Sequence, residues 1–229
     1  DTIIQILARE LGRSEAHVEN VVRLIDEGNT IPFIARYRKE LHGAMDDTAL
    51  RTLADRLQYL RNLDKRREEV KSAIEGQGKL TEELSAAIDA AATLAEVEDL
   101  YRPYKQKRRT RATVAREKGL EPLAELLFAQ AADGPAPEEA AGAFIDPEKG
   151  VETAEDALQG ASDIIAERIS DDADIRKRLR ELVWKKGSLV SAAAAKEPED
   201  TVYRLYYAFR SPLNRVQGHQ VLADRKSVV

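Results

Sequence analysis

The chain of 229 residues contains no cysteine, which excludes disulfide bonds and thiolate metal sites. Aromatic residues make up only 5% of it, while hydrophobic residues make up 43%, a balance that favours cores of packed aliphatic helices. No stretch approaches the roughly 18 consecutive apolar residues of a membrane span, and the first residues lack the basic and then apolar pattern of a signal peptide. We therefore expect a cytoplasmic protein that does not contact a membrane.

The sequence also lacks the short motifs that mark many catalytic and nucleotide-binding sites. Its three histidines, His17, His42 and His219, are far apart, and neither a closely spaced histidine pair nor a Gly-x-Ser-x-Gly nucleophile motif occurs. Glycine-rich phosphate-binding loops are absent as well. We predict a protein that is not an enzyme, with no catalytic residues, no cofactor and no metal site.

Positive charge is concentrated in one segment of an otherwise acidic chain. The net charge is −5, yet residues 101–118 hold eight Lys or Arg against the single Glu117, a local charge of +7 that leaves −12 for the remainder. We call residues 101–118 the basic segment. Clustered cations attract a phosphate backbone and release its condensed counterions without reading base sequence. The candidate nucleic-acid-binding residues in this segment are Arg102, Lys105, Lys107, Arg108, Arg109 and Arg111.

A structural role for the same cations is equally compatible with the sequence. The chain has a surplus of carboxylates, and the Arg and Lys side chains can pair with these or face water. The two interpretations differ in one observable property, which is whether neighbouring acids hold the cations.

Three short helices are predicted before residue 45. Apolar residues recur at helical spacing in residues 3–11 and again in residues 18–25, Gly12 and Gly28 supply stops, and Pro32 suits the first turn of a third helix. Three helices with tight turns predict a helix-turn-helix-like unit. Its third helix is then a candidate recognition helix, although the same geometry also serves packing alone.

That third helix would bury Phe33 and Tyr37, which are four residues apart and share a face. The remaining circumference carries a second candidate nucleic-acid-binding patch, formed by Arg36, Arg38 and Lys39. The alternative is that these three cations pair with the nearby acids Glu40, Asp46 and Asp47.

Helical patterns continue to residue 187, so the fold class is predicted to be all-α. Leucines spaced by three and four predict one long helix from Asp46 or Asp47 to about Glu75. The predicted divisions are the helix-turn-helix-like unit at 1–45, the long helix and a helical core with the basic segment at 46–130, a helical hairpin at 138–187, and a tail at 188–229. Trp184, the only tryptophan, is expected to lie in the core.

Three stretches resemble the bacterial Tex family of transcription accessory proteins. The first, residues 30–47, begins Thr-Ile-Pro-Phe-Ile-Ala-Arg-Tyr-Arg-Lys-Glu. The second and third, residues 98–112 and 115–124, include most of the basic segment and follow in the family's order. The resemblance extends from about Ile3 to about Lys226, and the final segment departs from the family pattern at residues 218–227.

In whole Tex proteins this region is followed by an RNase H-like domain, helix-hairpin-helix modules and an OB-fold RNA-binding module, none of which is found in these 229 residues. The first residue is Asp1 and the only methionine is Met45, so we expect a piece of a larger protein. The resemblance implies a non-catalytic scaffold region of a transcription accessory factor that contributes to RNA or DNA binding and meets the transcription machinery. The alternative is a protein-interaction and domain-organising platform that does not touch nucleic acid.

Overall fold

A computed structural model describes residues 2–194 and 201–226 of the chain. The all-α prediction is confirmed, because these residues form twelve α-helices and one small two-stranded sheet. The chain divides into two compact units, residues 1–101 and residues 102–229. The sequence-based division instead groups the basic segment with the long helix, whereas the structure places residues 102–118 in the second unit.

The first unit contains six helices: α1 (Ile3–Leu11), α2 (Glu15–Asp26), α3 (Ile31–Tyr37), α4 (Asp47–Glu75), α5 (Glu82–Ala90) and α6 (Leu94–Tyr101). Side chains of Ser14, Asp46 and Thr81 accept hydrogen bonds from the free amides at the starts of α2, α4 and α5. The long helix predicted to end near Glu75 ends at that residue.

Helix α4 organises this first unit. It is 29 residues long, about 43 Å at the usual rise per residue, and it contacts each of the other five helices. Its leucines, such as Leu50 and Leu53, are fully buried, as are Leu7 of α1 and Ile34 of α3. Its cations pair with the surrounding helices: Arg56 with Glu10, Arg61 with Asp26, Arg66 with Glu98, and Lys71 with Asp89.

The predicted third helix forms, but its buried face is different from the expected one. Phe33 is 37% exposed and Tyr37 is 58% exposed, with their ring centroids 5.2 Å apart at the surface. Helix α3 has only seven residues, and Ile34 alone among them is buried. The prediction that Phe33 and Tyr37 are core residues is therefore wrong.

The second unit begins with a 3-10 turn at Arg102–Tyr104 and contains six further helices: α7 (Arg111–Glu117), α8 (Glu121–Ala129), α9 (Pro137–Gly142), α10 (Ala154–Asp171), α11 (Ala173–Lys186) and α12 (Gly218–Lys226). Short 3-10 turns lie at Pro147–Lys149, Arg204–Tyr206 and Leu213–Arg215. Strands β1 (Ser188–Ala192) and β2 (Ala208–Pro212) pair antiparallel, with Val190 opposite Arg210. The first five residues of the predicted tail, 188–192, are therefore extended.

Helix α10 is the centre of the second unit, where it contacts α7, α8 and α9. The core around it is rich in small side chains, including Ala112, Ala115, Ala157 and Ala161. Such residues let helices approach closely. A methyl group added at Gly160 would lie 2.3 Å from Leu120 Cδ1, so a larger residue at this position would force the buried Leu120 side chain to shift.

Helices α10 and α11 lie in the region predicted to be a helical hairpin, and a single residue joins them. Asp172 ends α10, and its side chain accepts a hydrogen bond from the Ile175 amide at the start of α11, at 2.8 Å. None of the residues of α11 is buried, and Trp184 is 61% exposed. The expectation that Trp184 lies in the core is therefore wrong.

Candidate nucleic-acid interface

The basic segment runs from the 3-10 turn, through residues without regular structure, into helix α7. Thr110 caps α7 by accepting a hydrogen bond from the Thr113 amide at 3.1 Å. The hydroxyl of Thr110 also donates to Glu167 Oε2 at 2.9 Å. The start of α7 is thus tied to α10, which positions the cations on either side of it.

Two acids of α10 hold much of the basic segment. Glu167 and Asp171 are four residues apart, so they share one helix face, and we call them the acidic pair. Their side chains are only 18% and 12% exposed. Arg102 Nε donates to Asp171 Oδ1 at 2.8 Å, and Lys107 Nζ donates to Asp171 Oδ2. Lys107 Nζ also lies 3.6 Å from Glu167 Oε1.

Arg116 completes this network from helix α7. Its Nη1 donates to Glu167 Oε1 at 2.9 Å, and its Nε lies 3.4 Å from Glu121 Oε1. Burial by itself raises the pKa of the Glu167 carboxyl, but hydrogen bonds from Arg116 and Thr110 and the charge of Lys107 bring that pKa below its ordinary value. The hydrogen bond to Glu167 raises the pKa of Arg116 in turn. The acidic pair therefore compensates the cations that face α10.

Three other cations of the basic segment are in a different environment. Arg108, Arg109 and Arg111 are exposed. Arg109 pairs with Glu117 at 2.7 Å, but the two side chains remain 70% and 54% exposed. Neither Arg108 nor Arg111 forms an ion pair with any residue in the described ranges. Arg102, Lys107 and Arg109 thus fit the interpretation in which acids of the chain pair with the cations, while Arg108 and Arg111 fit the interpretation in which the cations are left unpaired.

A cleft of about 580 Å³ lies between the basic segment and α10. Its lining includes Lys105, which is exposed, together with Lys107, Arg116 and Arg168. It also includes five acids, namely Glu121, Glu125, Glu167, Asp171 and Asp172. Because five acids and four cations line it, the cleft is not a positively charged channel.

The second predicted patch keeps its cations exposed but not in the expected geometry. Helix α3 ends at Tyr37, so Arg38 and Lys39 follow the helix, and the prediction that all three cations surround a helix is wrong. The Arg36 guanidinium lies 5.9 Å from the Tyr37 ring centroid, and that of Arg38 lies 5.8 Å from the Phe33 centroid.

The alternative pairing of that patch with nearby acids is not what the structure shows. Asp46 accepts a hydrogen bond from the Ala49 amide at 2.7 Å, and Asp47 pairs with Arg51 at 2.6 Å. Within residues 2–194 and 201–226, Arg36, Arg38 and Lys39 form no ion pair.

Sequence reasoning missed the acidic pair itself. Asp171 lies 69 residues after Arg102, and Glu167 lies 51 residues after Arg116, so no local pattern connects them.

Among the described residues, no group of three or more metal-ligating side chains is placed to hold an ion. No described helix is both long and apolar enough to span a membrane.

Comparisons with known proteins agree with the Tex resemblance. A sequence model described as the Tex-like protein N-terminal domain matches residues 1–75, and one described as Tex central region-like matches residues 133–224. Protein tex of Bordetella pertussis is 47% identical over 222 residues, covering 96% of this chain and 28% of the relative. Transcriptional accessory protein Tex of Neisseria gonorrhoeae is 41% identical over 222 residues, covering 96% of this chain and 29% of the relative.

A human relative is more distant. The S1 RNA-binding domain-containing protein 1 of Homo sapiens is 31% identical over 230 residues, covering 96% of this chain and 23% of the relative. The chain spans less than a third of the length of each of these three relatives. Because both Tex sequence models match in chain order and the relatives align along almost the whole sequence, this chain belongs to the Tex family, of which it spans the N-terminal and central regions.

Proposed function

We propose that this chain is a non-catalytic helical scaffold region of a transcription accessory factor, and that it contributes to RNA or DNA binding through the basic segment. The observation that carries the proposal is the exposed group Arg108, Arg109 and Arg111, which we call the outer arginines. Two of them have no acidic partner in the described part of the chain. Relatives named for transcription and for an RNA-binding domain support the same proposal.

In this proposal the cations of the basic segment have different roles. Arg102 and Lys107 are held by Asp171, so their role is to fix the path of the segment along α10. The outer arginines are then presented from a fixed frame, which lowers the entropy lost when they contact phosphates. Arg109 takes part because an exposed ion pair such as Arg109 with Glu117 is worth only about 0–1 kcal/mol and is easily exchanged for a phosphate.

Affinity from three phosphate contacts is modest and depends strongly on salt. Each neutralised phosphate of a single strand contributes about 0.7 to the slope of log K against log salt concentration. Three contacts give a slope of about −2, so binding weakens about 20-fold between roughly 50 and 200 mM salt. The exposed patch of Arg36, Arg38 and Lys39 is a secondary contact, where the rings of Phe33 and Tyr37 offer surfaces on which unpaired bases can stack.

The test is fluorescence anisotropy with short single-stranded and duplex probes across a salt series. We expect Arg111→Ala to reduce the magnitude of the slope by about 0.7 for a single strand. The matched control is Lys79→Ala, which removes an exposed cation outside both patches and should leave the slope unchanged. Equal slopes for both variants would refute phosphate contact at Arg111. Incubation of nucleic acid with the protein and magnesium or manganese should leave the substrate intact.

The competing function is a protein-interaction platform, and helix α11 is the observation that favours it. This helix exposes Leu179, Leu182 and Val183 together with Trp184, although apolar side chains of this size are usually covered. If the wild-type chain binds no nucleic acid even at about 50 mM salt, the platform function replaces the nucleic-acid function.

A further inference from the structure

We infer that a small cleft between helices α7 and α10 binds a guanine base of the bound strand, and that Asp163 selects this base. The inference rests on the proposed function, because the phosphate contact at Arg111 brings a strand to the cleft. The volume of the small cleft is about 250 Å³, and its lining shares no residue with that of the larger cleft. Pockets that enclose drug-sized ligands have roughly 300–1,000 Å³, so the small cleft suits one nucleobase.

Each wall of the small cleft is one face of a helix, with residues spaced by three and four. Helix α7 and the residue after it contribute Arg111, Val114, Ala115 and Lys118, and α10 contributes Asp156, Gln159, Gly160 and Asp163. Leu120 adds to the apolar lining, and the whole lining belongs to the second unit. The cleft therefore has apolar contacts for the flat faces of a base at its middle and polar groups at both ends.

The end of the cleft nearest the start of α10 is held by contacts within the protein. Lys118 Nζ donates a hydrogen bond to the Gly150 carbonyl at 2.9 Å. Asp156 Oδ2 accepts hydrogen bonds from the amides of Thr153 and Glu152, at 3.0 and 3.2 Å. Because Lys118 and Asp156 already have these partners, they are not the groups that recognise a ligand.

The other end of the cleft presents Asp163 and Arg111. Gln159 Nε2 donates to Asp163 Oδ1 at 3.3 Å, which orients the carboxylate. Asp163 is half-buried, yet it forms no ion pair with any residue of the described ranges. Arg111 lies at this end because its neighbour Thr110 donates to Glu167, one turn beyond Asp163. A carboxylate that is partly removed from water without a cation gains free energy from the hydrogen-bond donors of a ligand.

The chemistry of Asp163 selects guanine among the bases. An ionised carboxylate only accepts hydrogen bonds, through two oxygens. Guanine presents two adjacent donors, N1–H and the N2 amino group, on its Watson–Crick edge. Adenine, cytosine, thymine and uracil place an acceptor beside each donor, and that acceptor would face the negative charge. Because duplex pairing covers this edge, the guanine must be unpaired.

The test compares three short single-stranded probes by fluorescence anisotropy at about 50 mM salt. They are an oligothymidine strand, the same strand with one central deoxyguanosine, and the same strand with one central deoxyinosine, which lacks only the N2 amino group of guanine. We expect the guanine probe to bind about tenfold more tightly than oligothymidine, a typical gain for a bidentate contact to a base. The inosine probe should lose most of this gain, because it offers Asp163 one donor instead of two.

A substitution locates the preference at Asp163. Asp163→Asn keeps the size of the side chain but removes its charge and turns a donor toward the base, so we expect this variant to bind all three probes equally. Its affinity for oligothymidine should not fall, because the phosphate contact at Arg111 is intact. The matched control is Asp133→Asn, which changes an exposed aspartate in the loop before α9, outside the cleft, and should keep the preference of about tenfold.

Failure of this inference and failure of the proposed function give different results. Equal binding of the three probes by the wild-type chain would refute the guanine site and leave the phosphate contact standing. A guanine preference that persists in Asp163→Asn would refute it as well. If none of the probes binds, the proposed function is refuted, and the guanine site with it.

A free nucleotide carries the same base, and a competition experiment distinguishes it from a strand. Guanosine monophosphate has only one phosphate, so it should displace the guanine probe only at far higher concentration than the unlabelled strand does. Equal potency of the two competitors would refute a strand-bound guanine and assign the small cleft to a free nucleotide.

Discussion

The substitution Asp171→Asn tests the packing of the basic segment against α10. Asparagine keeps the size of the side chain and one acceptor oxygen, but it removes the charge that faces Arg102 and Lys107. Asp171 is the last residue of α10, where a negative charge is disfavoured by the helix dipole by about 0.3–1 kcal/mol. Only a compensating interaction makes a buried aspartate favourable there.

The expected loss of stability in Asp171→Asn follows from the two hydrogen bonds that Asp171 accepts. Hydrogen bonds to charged groups contribute about 1.5–3 kcal/mol each. Exposure of Arg102 and Lys107 (45% and 31%) weakens both bonds, and removal of the charge relieves the dipole penalty. We therefore expect Asp171→Asn to lower the free energy of unfolding by about 1–3 kcal/mol.

The assay is denaturation followed by circular dichroism, with Asp133→Asn as the control. Asp133 is an exposed aspartate in the loop before α9, so its substitution should change the free energy of unfolding by less than about 0.5 kcal/mol. A double-mutant cycle with Lys107→Met should show coupling between Asp171 and Lys107. If Asp171→Asn proves as stable as the control, the ion pairs do not hold the segment and the division of labour proposed above is incorrect.

Three further predictions concern stability. The pKa of Glu167 is lowered in the folded protein, so the ionised carboxylate stabilises the fold. This stabilisation is complete above the unfolded pKa of about 4.3 and is lost as pH falls through the folded pKa. Glu167→Gln should therefore make the free energy of unfolding depend less on pH between pH 6 and pH 3 in denaturation experiments. Gly160→Ala should destabilise the chain by about 1–2 kcal/mol in urea denaturation because its methyl group meets Leu120, whereas Gly142→Ala, with no atom within 4 Å, should not. Leu53→Ala should cost about 2–5 kcal/mol in the same assay, and a loss below about 1 kcal/mol would contradict full burial of Leu53.

The helices could be predicted from local sequence because their signals are local. Apolar spacing and capping side chains at Ser14, Asp46 and Thr81 fix where α2, α4 and α5 begin, and each side chain accepts a hydrogen bond from a free amide of its helix. Glycine and proline mark several of the ends. The boundaries of these elements therefore follow from the order of residues within one or two turns.

Burial and charge compensation could not be predicted in the same way, because they depend on residues far apart in the chain. Helical spacing says that Phe33 and Tyr37 share a face, but not that Ile34 is the residue facing the core. The apolar character of Trp184 does not reveal whether anything covers α11. Charge compensation in the candidate site likewise depends on distant residues. Asp171 and Glu167 neutralise Arg102, Lys107 and Arg116 only because α7 packs against α10.

The joint at Asp172 has a mechanical consequence. Because one residue both ends α10 and caps α11, α11 has no linker over which to swing, and the φ and ψ angles of Asp172, −68° and 119°, determine its direction. A single peptide bond joins Asp172 to Asp171, the residue that accepts hydrogen bonds from Arg102 and Lys107. The direction of α11 and the position of the basic segment are thus set by two adjacent residues, Asp172 and Asp171.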